Sequence, residues 1–122
     1  MQAAVQSRPQ SPVEAEVLRI RDLVERKDFG VALRAAEVLA AQFPENRDIL
    51  YLMAVSHRYL RNIPAALTVL ERLEALHPGF SRLYQERGHC HRDLRQDEAA
   101  IAAYRRAVGL NAALPGSWRA RR

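Results

Sequence analysis

Residues 88–98 read GHCHRDLRQDE. His89, Cys90 and His91 stand in a row, with Asp93 and Asp97 close behind. Imidazole, thiolate and carboxylate are the groups that hold zinc, and a cation beside a cysteine activates a thiol. Either chemistry needs these side chains to converge. The element that carries them therefore decides the matter.

A chain of 122 residues has room for one small domain. Hydrophobic residues make up 48% of it, and Ala, Leu and Arg, all strong helix formers, are abundant. The formal charge is +5, carried almost wholly by arginine. Carboxylates are interspersed among the arginines, so no continuous nucleic-acid footprint forms; the one basic cluster is Arg119, Arg121 and Arg122. The single cysteine rules out an internal disulfide and suits a reducing compartment. The opening MQAAVQSRPQSP has no signal-peptide core, and no apolar run is long enough to span a membrane. These features predict a cytoplasmic protein with residues 1–12 as a polar tail.

Three segments of 34 residues follow one another without a gap, at 13–46, 47–80 and 81–114. Position twenty of each is Ala32, Ala66 and Ala100; position eight is Ile20, Ala54 and Gly88. Each segment reads as two helices at apolar 3.6-residue spacing. Asp28 with Gly30, Asn62 with Pro64, and Asp97 mark the turns between them, and Pro44 and Pro78 stop the second helices.

This pattern resembles the tetratricopeptide repeat (TPR). The third segment carries Tyr84, Gly88, Ala100, Tyr104 and Ala107, and the second carries Leu50, Met53, Ala54, Ala66, Leu70 and Pro78. The first is degenerate, with Glu16 and Arg19 at columns that are usually apolar. The resemblance implies an all-α fold, a right-handed superhelix of antiparallel helix pairs: a TPR-like α-solenoid of three repeats. A fourth repeat, or a capping segment, begins over residues 115–122 with Trp118 on its leading aromatic column. The stretch LNAALPGSWRA also resembles the repeat arrays that precede a sulfotransferase domain in some bacterial proteins. Any such activity would lie outside this chain, which has no nucleotide-binding loop.

The repeat decides the GHCH question. Neighbours on a helix point about 100° apart, so His89 and His91 diverge by about 200°. Helical zinc ligands sit at i and i+4; here those partners are Asp93 and Arg95, and two ligands rarely suffice. Cys90 falls on a column where Ser56 is its counterpart, and it reads as a small buried filler. His57 and His91 read as half-buried packing residues. No catalytic, metal or cofactor-binding residue and no cofactor is expected.

Function is then expected on the inner face of the solenoid, lined by the first helix of each repeat. The family's groove columns, read onto this chain, give Arg21 in the first repeat, Tyr51, Val55, Arg58 and Tyr59 in the second, and Arg82, Gln85, His89, Arg92 and Asp93 in the third. Tyr51, Val55 and Tyr59 lie at i, i+4 and i+8 and form one stripe. One reading makes them an apolar floor ringed by Arg21, Arg58, Arg82 and Arg92, fit for a peptide with apolar anchors and acidic residues. The other has the tyrosines simply covering neighbouring helices. The Lys/Asn pair that clamps chaperone tails is absent from its columns, which hold Val17/Arg21, Tyr51/Val55 and Gln85/His89. The expected activity is thus a non-catalytic protein-interaction scaffold. Self-association through Val108, Leu110, Leu114 and Trp118 is the alternative, and nonspecific nucleic-acid binding a lesser one.

Overall fold

Side-chain caps set several of the helix starts. The computed structural model describes residues 11–111. Ser11 Oγ accepts the N–H of Glu14 at 3.3 Å, and Pro12 takes the first helical position, where its missing N–H costs nothing. The first helix therefore begins inside the stretch expected to be tail. Asn46 Oδ1 accepts from the N–H of Ile49 at 3.0 Å, and Asn62 Oδ1 from that of Ala65 at 3.4 Å. Asp28 occupies a cap position without a side-chain cap bond, and Asp97 lies inside its helix, with Gln96 at the cap. Those two aspartates do not serve as the expected caps.

Among the described residues there are six helices: α1 (Pro12–Glu25), α2 (Phe29–Gln42), α3 (Arg47–Tyr59), α4 (Ile63–Leu76), α5 (Ser81–Asp93) and α6 (Asp97–Leu110). There is no strand among the described residues. Consecutive helices pack as hairpins, and α3 additionally touches both α1 and α5. No helix among the described residues is long and apolar enough to cross a membrane. The expected fourth repeat, with Leu114 and Trp118, lies outside the described residues.

The turns within the hairpins share one geometry. Lys27, Arg61 and Arg95 each adopt a left-handed backbone, with φ of 66°, 68° and 61°. The next N–H then returns to the helix: Asp28 to the Leu23 carbonyl, Asn62 to that of His57 and Gln96 to that of His91. This closes the helix end as a glycine would, at the cost of forcing a long side chain into a conformation it disfavours.

The core falls into two clusters. Val17, Ile20, Ala32, Ala36, Leu39, Ile49 and Leu52 fill one; Leu50, Ala54, Ala66, Leu70, Leu83, Tyr84 and Cys90 belong to the other. Helix α3 supplies both, which is why it is apolar on two sides. Within the hairpins the packing positions trade size. Ile20 shares a cluster with Ala36, and Ala54 shares one with Leu70. In the third hairpin Gly88 faces Tyr104, whose ring occupies the space a β-carbon at Gly88 would need. As the first helix gives up volume from Ile to Ala to Gly, the second gains it from Ala to Leu to Tyr. Gly88→Ala should therefore destabilise the protein by about 1–3 kcal/mol, the usual cost of overpacking. Adding Tyr104→Leu, which recreates the Ala54/Leu70 pairing, should recover part of the loss. Urea denaturation of the two variants checks this, and a double variant no more stable than Gly88→Ala would refute the trade in size.

Candidate peptide-binding face

Helices α1, α3 and α5 lie side by side and together form one face. Their order along that face places the expected site residues together, but not with equal access. Arg21, Arg82 and Arg92 are exposed. Arg21 helps line a recess of about 210 Å³ with Val17, Leu18 and Asp48. Tyr51 is half-buried and meets Phe80 edge-on, with ring centroids 5.7 Å apart. Burial pushes its hydroxyl pKa upward, opposed by the nearby charge of Arg82. Tyr59 is 50% exposed, yet one face of its ring stacks on Phe29 at 4.4 Å and 1° between planes. Each tyrosine thus both covers a neighbour and keeps some surface.

Three expected groove residues differ from the picture of an open floor with a basic rim. Val55 and Gln85 are 6% and 9% exposed, so they are almost wholly covered by the packed helices. Arg58 is 7% exposed and is not a rim cation. Its Nε and Nη2 donate to both oxygens of Glu86, and its Nη1 donates to Asp93 Oδ2 at 3.4 Å. The guanidinium also lies 4.4 Å over the Tyr59 ring. Burial alone would lower the Arg58 pKa, but Glu86 more than offsets it and the group stays charged. Burial pushes the Glu86 carboxyl upward while Arg58 pulls it down. Glu86, 2% exposed, is the partner that sequence reasoning missed.

Asp93 is a second junction, accepting from Arg58 and Arg92 and lying 3.7 Å from Arg61. His89 sits beside this network, with Nδ1 2.6 Å from the Tyr104 hydroxyl. Burial, then Arg58 and Arg92, lower its pKa to about 4, so it is neutral in the face at physiological pH. Of the expected site residues, the exposed cations are therefore Arg21, Arg82 and Arg92, the last of them paired with Asp93.

The remaining members of the GHCH segment point elsewhere. Cys90 is fully buried, and burial pushes its pKa up to about 12, so it is a thiol rather than a thiolate. His91 Nδ1 lies 2.7 Å from Gln96 Oε1, and the buried Nδ1 of His57 has no partner among the described residues. Among the described residues no three His, Cys, Asp or Glu side chains are grouped to hold a metal. Of the self-association candidates, Val108 is half-buried and Leu110 is 47% exposed on α6.

No family model and no curated protein matches this chain. Solved structures do. The Sgt2 TPR domain from Aspergillus fumigatus has a TM-score of 0.81 at 17% identity, covering 90% of this chain and 75% of that one. The first TPR of Spaghetti (RPAP3), bound to the HSP90 peptide SRMEEVD, has a TM-score of 0.78 at 16% identity, covering 86% and 83%. The Yersinia enterocolitica type III secretion chaperone SycD, in complex with a peptide of the translocator YopD, has 0.78 at 12% identity, covering 89% and 86%. The fold is thus an all-α solenoid of helical hairpins. More narrowly, it is the tetratricopeptide-repeat fold, with α3 packed between α1 and α5.

The low His89 pKa has a sign that can be worked out. The unfolded imidazole takes a proton near pH 6.5, while the folded one does so only near pH 4. Stability from keeping His89 neutral is present above pH 6.5 and is lost as pH falls toward 4. His89→Gln keeps a polar partner for Tyr104 but cannot titrate. Melting temperatures at pH 7.5 and pH 4.5 should show the larger drop in the wild type; equal drops would contradict the assignment.

Proposed function

We propose that this chain is a non-catalytic scaffold that captures a peptide segment of a partner protein on the face of α1, α3 and α5. The observation that carries the reading is the part-exposed pair Tyr51 and Tyr59 on the central helix, with exposed Arg82 and Arg92 on the neighbouring helix α5. Rigid tyrosines and arginines are the residue types that dominate binding hot spots. That two structures of the same fold hold peptides supports the reading. The HSP90 peptide itself is not carried over, because the columns that clamp such tails hold Tyr51/Val55 and Gln85/His89 here. With Arg58 neutralised by Glu86, the ligand expected is a segment with one or two apolar anchors and an acidic residue directed at Arg82 or Arg92.

The test is selection of a displayed random-peptide library on the wild-type chain, followed by Kd measurements on Tyr59→Ala and Arg82→Glu variants with wild-type helicity. Each variant should weaken the selected peptides at least about tenfold, near 1.4 kcal/mol. Undiminished binding to both would remove the site from this face.

A second reading, self-association through α6, is favoured by Leu110, which leaves 47% of its surface exposed on the last described helix. Sedimentation over a rising concentration series should then show dimer, reduced by Leu110→Ser. A monomer throughout removes this reading.

A further inference from the structure

Among the described residues the hairpin junctions repeat a pocket, and an aromatic ring fills one of its two copies. Between α4 and α6 the pocket holds the Tyr84 ring, which is fully buried. The Tyr84 hydroxyl donates to the Pro78 carbonyl at 2.7 Å and lies 3.3 Å from Glu74 Oε2, and the Arg106 guanidinium lies 4.6 Å over the ring. The same positions 34 residues earlier are Leu50 for Tyr84, Ala40 for Glu74, Pro44 for Pro78 and Arg72 for Arg106. The lid and the carbonyl are kept; the ring and the carboxylate are gone. What remains is a groove of about 510 Å³ between α2 and α4, floored by Leu50 and Met53 of α3. Its walls carry more apolar than polar surface, through Ala40, Pro44 and Val69. Arg72 Nη2 donates to the Pro44 carbonyl at 3.1 Å, taking the acceptor that the tyrosine hydroxyl takes in the next repeat.

We propose that this groove, on the side of the solenoid formed by the second helices, accepts a tyrosine side chain presented by a partner segment. The ring lies on Leu50 and Met53 beneath Arg72, as Tyr84 lies beneath Arg106, and its hydroxyl shares the Pro44 carbonyl with Arg72, using the second lone pair of that oxygen. The charges complement such a guest. The Arg72 guanidinium matches the electron-rich ring face. Exposed Glu37 on the opposite rim matches a basic residue next to the tyrosine. This surface is separate from the face of α1, α3 and α5, and its occupancy does not depend on the function proposed there.

The experiment is a methyl NMR titration of the full chain with acetyl-Tyr-Arg-amide, reading Met53 and Val69. Acetyl-Leu-Arg-amide and acetyl-Tyr-Glu-amide serve as comparators. Saturable shifts at both methyls are expected with the first ligand, with affinity about threefold lower for each comparator, the scale of one exposed cation–π or ion contact. Arg72→Ala should weaken binding similarly, and Ala41→Phe should block the groove from its exposed rim. Unchanged Leu70 and Leu73 methyls certify the fold of both variants. No saturable shift, equal shifts with the leucine ligand, or binding unaffected by either variant would overturn the proposal.

Discussion

How closely two helices approach is set by the side chains at their crossing, and this chain is governed by that limit. A hairpin of two short helices cannot bury its own apolar stripe, so hairpins must stack, and they stack only where small residues let the backbones close. Ala32, Ala36, Ala54, Ala66, Gly88 and Ala107 lie at such points; the alanines among them are fully buried. The trade in size from Ile20 and Ala36 to Gly88 and Tyr104 moves the small residue from the second helix of the hairpin to the first. Stacking of the hairpins sets α1, α3 and α5 side by side, with α3 in contact with both of the others.

The two junctions are tied by different physics. Between the first and second hairpins the tie at the turn edge is a ring stack, Phe29 on Tyr59. Between the second and third it is charge, Arg58 against Glu86 and Asp93. Burying an ion pair gains little net stability over apolar packing of the same volume, because desolvation consumes the Coulomb energy. Its consequence lies in specificity. Removing either partner would strand a buried charge, so the relative placement of α3 and α5 is tightly defined there. Arg58 also rests on Tyr59, so the two ties meet at adjacent residues and run from the first hairpin to the third without a break.

The fold was legible in the sequence because helical repeats write themselves in one dimension. Ala32, Ala66 and Ala100 fall on one column, and the breakers recur with the same period. Cys90 was legible for the same reason, since its column demands a small residue. The site was only partly legible. Column logic places Arg58 on the face of α1, α3 and α5, but burial depends on what the adjacent helix brings. Glu86 lies 28 residues away, and nothing in either local sequence joins them. Val55 and Gln85 were lost to the same cause: periodicity gives direction, whereas exposure depends on the neighbour's bulk. The left-handed turns at Lys27, Arg61 and Arg95 were invisible because their usual signal, glycine, is absent.

Divergence among repeats is what gives a uniform scaffold distinct surfaces. Where Tyr84, Glu74 and Arg87 fill the outer junction, Tyr84 is bonded, capped by Arg106 and closed to any guest. Where the same columns hold Leu50, Ala40 and Met53, the junction is left with a groove. The inner face shows the converse. There the second repeat adds side chains, Tyr51 and Tyr59, where the first has Val17 and Glu25 and the third has Gln85 and Asp93. Substitution at a few columns therefore moves apolar surface from one side of the solenoid to the other. The central repeat, flanked on both sides, contributes such surface to both, through Tyr51 and Tyr59 on one side and Met53 and Val69 on the other.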